Sequence, residues 1–381
     1  MKLHSFILAI GCTALATPGQ AGGPGDEVFS WHGDIRAGYF TLHREERNGN
    51  RDITDEFRAR IRLGLEARLA DGWQARARFA GRYSTYENNH HFQVFTSAPS
   101  TDGLRRGDST LDELYLAHSP APRWNIRLGR MQTKFELAGV AKKSLTRNDS
   151  PNVDITWTDG LHVRHTRDSG WNTHVILQRN LPAGPTNVMR APLNFTVDDS
   201  RVMAFLALEN NQPVGPVVQR ALDVSYLPDA LRRDGTPTGR IEDYWALAGR
   251  LAAQWPIGDG GTKFMLAGEA GYAPNTPTRA AMNTGTSGDS GGLAAQVSFN
   301  FIDILPRHSF GLVYGHVEAG WLLSPDFRYN NSLLEGRYQW RIDGRRSVEA
   351  RLRERRDLDS IIGAQRDRTD RDFYLRYTQR F

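Results

Sequence analysis

Every second residue from Phe57 is apolar or small: Phe57, Ala59, Ile61, Leu63, Leu65, Ala67 and Leu69. Between them stand Arg58, Arg60, Arg62, Gly64, Glu66 and Arg68. After Asp71-Gly72 the alternation resumes, with Trp73, Ala75, Ala77 and Phe79 against Gln74, Arg76 and Arg78. A period of two predicts β-strands with one apolar and one polar face. An Asp-Gly pair between two such runs predicts a tight hairpin, because glycine accepts a positive φ without steric cost. In a soluble sandwich the apolar face would meet a second sheet. In a membrane barrel it would meet lipid, and the polar face would line a wet lumen.

The rest of the chain repeats the rhythm. Strands are predicted at 30–42, 111–118, 124–130, 161–165 and 171–177, then at 202–208, 218–226, 244–255, 264–272 and 293–301. A strand at 310–319 has an ambiguous facing. The last three alternate cleanly through Leu334/Gly336/Tyr338/Trp340, Val348/Ala350/Leu352 and Phe373/Leu375/Tyr377/Phe381. This makes about sixteen strands, with connections alternating between long and short, the asymmetry of an outer-membrane barrel. Trp31, Trp73, Trp124, Trp171, Trp255 and Trp340 all fall beside short turns or the first strand's start. One rim is where indoles belong if that rim lies at a headgroup interface. The expected fold is all-β, an antiparallel transmembrane β-barrel of about sixteen strands with short periplasmic turns and long extracellular loops. A count of eighteen remains open, because 310–331 is the least regular region.

Composition adjusts this picture little. A mean hydropathy of -0.53 with 39% hydrophobic residues suits a barrel in which only alternate strand residues need be apolar. No run approaches the ~20 apolar residues of a spanning helix. At the start, Lys2 and His4 precede an apolar run over 6–16, then Pro18-Gly19-Gln20-Ala21, the pattern of a cleavable signal peptide at 1–21. The barrel then occupies 22–381. Cys12, the single cysteine, lies within the leader; a lipoprotein reading fits poorly, as Ala9 stands where a large aliphatic residue is expected. Cleavage leaves no cysteine for disulfides or thiolate metal sites. The formal charge of +5 could suggest nucleic acid, but export and arginines dispersed along strands argue against that partner.

The chain ends in an aromatic strand with C-terminal Phe381, which resembles the signal read by Gram-negative barrel-assembly machinery. The whole of 22–381 resembles an outer-membrane porin. The segments 111–116 (LDELYL) and 126–135 (IRLGRMQTKF) are similar to a motif of the phosphate-selective porin O/P family. The proline of that motif is absent here, and phosphate selectivity is not carried over. The resemblance implies a homotrimer in the cell outer membrane, contacting the lipid bilayer and lipopolysaccharide. It also implies that the third long loop, 131–156, folds into the lumen. That loop carries Lys134, Glu136, Lys142, Lys143 and Arg147, with Asp149 and Asp154.

The inward strand positions hold Arg58, Arg60, Arg62, Arg68, Arg76, Arg78, Arg82, Arg127, Arg337, Arg341, Arg351, Arg353 and Arg355. Closing the barrel brings the first and last strands together, so most of these arginines join into one cationic wall. Such a wall concentrates small anions and passes them between weakly hydrated guanidinium groups. Pairing with Glu66, Glu335, Glu349 and Glu354 would neutralise part of it. Enzymatic signatures are missing: no Gly-x-Ser-x-Gly elbow and no phosphate-binding glycine loop occurs. His90-His91 lacks spaced carboxylates for a metal, His162 and His174 read as ordinary lumen residues, and 367–372 reads as a solvated loop. No cofactor or metal is expected. The expectation is a porin for passive diffusion of small hydrophilic solutes with anions favoured. A gated channel or exporter for a polyanionic saccharide such as alginate is the first alternative, and a barrel enzyme the second.

Overall fold

The computed structural model describes residues 28–85, 94–95, 109–146, 157–180, 191–324 and 326–381. The expected leader with Cys12, the pair His90-His91, and Arg147, Asp149 and Asp154 lie outside the described residues. The strands are β1 (Phe29–Glu45), β2 (Arg51–Arg68), β3 (Trp73–Ser84), β4 (Val94–Phe95), β5 (Ser109–His118) and β6 (Trp124–Met131). Then come β7 (Thr158–Thr166), β8 (Asn172–Arg179), β9 (Val202–Asn210), β10 (Val217–Arg232), β11 (Ile241–Ile257) and β12 (Thr262–Tyr272). The last five are β13 (Leu293–Leu305), β14 (His308–Val317), β15 (Asn331–Arg341), β16 (Arg346–Asp357) and β17 (Thr369–Arg380). β4 is a two-residue strand parallel to β5. The other sixteen pair antiparallel in sequence order. β1 meets β17 from Asp34↔Arg380 to Glu45↔Thr369, which closes the sheet into a barrel.

One rim is made of the connections 69–72, 119–123, 167–171, 211–216, 258–261, 306–307 and 342–345. The opposite rim carries the longer connections, except that 46–50 is short. The 69–72 turn fits its sequence signal, with Asp71 at φ 57 and Gly72 at φ 75, the two positive values that a twisted hairpin requires. The outer face exposes Ile35, Phe57, Ile61, Leu63, Leu114, Leu128, Leu222, Leu251, Leu352 and Leu375. In water so broad an apolar surface would drive aggregation; as a lipid-facing band it is satisfied. Trp31, Trp73, Trp124, Trp255 and Trp340 are exposed near the short-turn rim. Trp157 and Trp321 instead lie buried inside.

The inner face has two unlike halves. β1, β2, β3, β5 and β15–β17 turn charged side chains inward, among them the buried Arg60, Arg62, Asp112, Glu335, Arg337, Glu349, Arg351, Asp372 and Arg376. β8–β14 turn apolar ones inward, including Ile176, Met203, Phe205, Leu227, Tyr244, Ala246, Ala248, Val313 and Val317. These pack against Phe135 and Leu145 of the third long loop and against Trp321, Leu322, Leu323 and Phe327 of the 318–330 loop. The lumen is thus mainly apolar on one side, around the buried charges Asp223, Arg250 and Glu269, and ionic on the other.

This division explains where the sequence pattern fails. In β14 both faces are apolar: Phe310, Leu312 and Tyr314 point out, while Val313 and Val317 meet the inward loops. The irregular stretch beyond it is no strand but a loop folded into the barrel. Two glycines form its seats. A Cβ on Gly271 would come within 2.5 Å of the Trp321 ring, and one on Gly315 within 2.3 Å of the Phe327 ring. The predicted solvated loop 367–372 is also corrected. β17 begins at Thr369, and Asp370 and Asp372 are buried among arginines.

Candidate functional site: an ionic wall facing an inward loop

On the charged half, strand pairing places acids and bases on adjacent inward positions. Arg60 lies 2.7 Å from Asp34, and Arg62 lies 2.7 Å from Asp112, which also holds Arg78 at 2.8 Å. Arg76 contacts Glu113 at 2.6 Å and Glu66 at 3.4 Å, and Arg58 pairs with Glu56. On β16, Arg351, Arg353 and Arg355 climb the strand at every second residue. Asp372 binds Arg351 and, at 2.6 Å, Arg353. Glu349 takes Arg376 at 2.8 Å and Arg337 at 3.6 Å, and also accepts the Tyr374 hydroxyl. Arg355 makes no ion pair of its own among the described residues, although the Asp372 charge acts on it. It lines a cavity of about 150 Å³ with Arg58, Arg328, Arg351 and Arg353, opposite Asp370 and Asp372. Buried ion pairs of this kind balance desolvation against attraction, so they fix geometry more than they add stability.

The other side of the lumen is formed by the third long loop, described through Thr146. Sheet strands spend their backbone groups on the ladder, so an inward loop must find side-chain partners. Gln219 of β10 accepts the Ala138 N–H at 2.8 Å and donates to the Glu136 carbonyl at 2.9 Å. Asn300 of β13 accepts Val140 N–H at 2.8 Å. Arg250 of β11 donates to the Phe135 carbonyl and pairs with Asp223 at 2.8 Å. Lys143 reaches Glu335 at 2.8 Å; burial pushes its ammonium down to about 8, against the pull of Glu335. The 318–330 loop braces this one: Trp321 Nε1 donates to the Leu145 carbonyl at 2.8 Å, and Ser324 Oγ to the Ser144 carbonyl at 2.6 Å.

Between the loop and the wall, on the short-turn side, opens a cavity of about 1000 Å³. Its lining carries nine bases, Arg36, Lys134, Lys142, Arg337, Arg341, Arg345, Arg346, Arg376 and Arg380. Only four acids, Glu136, Glu209, Asp343 and Glu349, oppose them. Asp343 stays ionised, since hydrogen bonds from the Arg346 side chain and the Arg345 and Arg346 N–H groups hold it at about 2. Lys142 is exposed and has no acidic partner among the described residues. Beyond the lining, Asp34, Glu335 and Asp303 pair with Arg36, Arg337 and Arg341, so the lining bases without an ion pair among the described residues are Lys142, Arg345 and Arg380.

Of the arginines expected inside, Arg58, Arg60, Arg62, Arg76, Arg78, Arg82, Arg337, Arg351, Arg353 and Arg355 share the charged half. Arg127 lies farther along, stacked 5.5 Å over Tyr115, and Arg341 sits at the short-turn rim, 2.6 Å from Asp303. Lys134, Glu136 and Lys142 line the larger cavity, and Lys143 lies buried behind it. Glu354 does not neutralise the wall: it faces outward and pairs with Arg371 at 2.6 Å. Sequence reasoning missed Arg36, Arg376, Asp34, Asp112 and Asp372. Extending the last strand's alternation back from Tyr374 reaches Asp372 and Asp370. His162 and His174 do share the inner face, with ring nitrogens 3.0 Å apart and Glu209 3.3 Å from His174.

No protein-family model matches the chain, and no curated protein matches it in sequence. Solved structures do. OprB of Pseudomonas putida aligns with TM-score 0.60 at 11% identity, over 93% of this chain and 94% of that one. The outer-membrane channel DcaP of Acinetobacter baumannii aligns with TM-score 0.56 at 12% identity, over 93% and 97%. OpdK of Pseudomonas aeruginosa, determined with vanillate, aligns with TM-score 0.54 at 12% identity, over 92% and 99%. At these identities the likeness is one of fold: the chain has the barrel of Gram-negative outer-membrane porins.

Proposed function

We propose that this protein is an outer-membrane porin through which small hydrophilic solutes diffuse down their gradients, with anions favoured. The observation that carries this reading is the base excess around the cavity between the inward loop and the wall, with Lys142 unpaired. The apolar outer band and tryptophan rim support the membrane location. Residues 1–21 act as a cleaved leader. Phe381, whose backbone exchanges hydrogen bonds of 3.0 and 3.2 Å with Gly33, ends the strand offered to the assembly machinery. Lipopolysaccharide contacts and a homotrimer belong to the same reading. Catalysis plays no part in it.

The pore-lining residues are the wall arginines Arg58, Arg76, Arg82, Arg337, Arg351, Arg353 and Arg355, and the aperture is set by Lys134, Glu136 and Lys142. OpdK was determined with vanillate, so small organic carboxylates are included among the solutes. Phosphate selectivity of the O/P type is not part of the proposal. A polyanionic saccharide would have to pass where two inward loops are packed and hydrogen-bonded, which favours small solutes. The test is the reversal potential of purified protein in a planar bilayer under a KCl gradient: chloride preference supports the reading, and cation preference removes the anion part of it.

A further inference from the structure

Three consecutive residues of the inward loop are each held by a carboxylate, and each carboxylate comes from a different element. Lys143 Nζ lies 2.8 Å from Glu335 of β15. Ser144 N–H donates to Asp326 of the 318–330 loop at 2.9 Å. Leu145 N–H donates to Glu269 of β12 at 3.0 Å. All three loop residues are buried. Neither amide has a water-facing alternative, and an unmatched buried N–H is costly. The charges facing the clamp are Arg337 beside Glu335 at 2.5 Å and Arg250 at 4.0 Å from Glu269. Arg250 is itself shared with Asp223.

We propose that Glu335, Asp326 and Glu269 are positioning residues for the constriction: they clamp 143–145 and thereby fix the aperture that Lys142 and Glu136 present to solutes. The aperture part rests on the porin reading above; the clamp itself does not. Asp326 matters most, because it is contributed by a second loop. Through it the 318–330 loop acts as a keystone, and the width of the bore depends on a segment that need not touch the solute.

The experiment measures amide hydrogen exchange at Ser144 and Leu145, with single-channel recording, on the folded wild type and on Asp326→Ala, Asp326→Asn and Glu269→Ala. Heat-dependent gel mobility confirms that each barrel is closed. The clamp predicts that each alanine speeds exchange at its own amide by about tenfold. It also predicts that the single open level breaks into larger, unsteady ones. Asp326→Asn, whose amide oxygen still accepts the Ser144 N–H, should stay close to wild type. A Val140→Cys/Gly311→Cys pair gives a rescue, since the two Cβ positions stand 2.9 Å apart and need about 1 Å of loop movement to reach disulfide geometry. Oxidised in the Asp326→Ala background, it should restore the narrow level. Unchanged exchange in the alanine variants overturns the clamp. Faster exchange with unchanged conductance overturns the aperture role. A wild type without conductance would defeat the porin reading instead, and exchange alone would then judge the clamp.

Discussion

Burial decides what each charge can do for a solute. Arg60 is fully buried and paired with Asp34, which also keeps Arg36 at 3.5 Å, so removing Arg60 breaks one ion pair and empties a packed site without exposing a binding group. Arg60→Ala should therefore lower barrel stability by about 0.5–3 kcal/mol, read as a drop in the temperature at which the folded gel band is lost. Lys142 is the opposite case, exposed in the larger cavity and unpaired among the described residues. Lys142→Glu should shift the KCl reversal potential toward cations while leaving that temperature unchanged. Gly271 tests the packing of the inward loop. Gly271→Ala drives a methyl to 2.5 Å from the Trp321 ring; such overpacking typically costs about 1–3 kcal/mol. A changed tryptophan emission with a lower melting temperature is the expected result.

At the scale of elements, two loops and one wall divide the lumen. Trp321 is buried against the inner wall and donates to Leu145, so Trp321→Ala loses about 3–5 kcal/mol of packing and should free both loops to proteolysis from the long-loop side. The buried lysine gives a pH signature. Lys143 ionises near 8 in the folded chain, below its ordinary 10.5. Between these values the unfolded chain holds the extra proton, so this group adds stability as pH rises. Raising the pH from 7 to 9 should thus produce no loss of barrel stability through Lys143, read by comparing the pH dependence of the melting temperature with that of Lys143→Met. The strands and their facing were legible where the two faces differ in solvent, as in β2 and β3, because lipid and ionic wall impose opposite residue types at a period of two. Legibility failed in β14 and at 318–330, where loop packing makes the inner face apolar as well. The acids of the wall were hidden for another reason: Asp34, Asp112 and Asp372 meet their arginines across strands, and one strand's alternation does not reveal register with the next.

For the molecule as a whole, the fold is a closed sheet whose exterior suits lipid and whose interior is partitioned. The mainly apolar half fixes the loops, and the ionic half lies across the lumen from it. Ion pairs lock most wall arginines into a lattice, so under the proposed reading selectivity would rest on the few bases left over, chiefly those around the larger cavity. The central claim is that this residual positive field favours anions, and it is tested most directly by the zero-current potential of the purified barrel in a planar bilayer under a KCl gradient. A steady conductance whose reversal potential lies on the chloride side, and moves toward zero as ionic strength screens the field, is the result the account predicts. A reversal potential on the potassium side would contradict it.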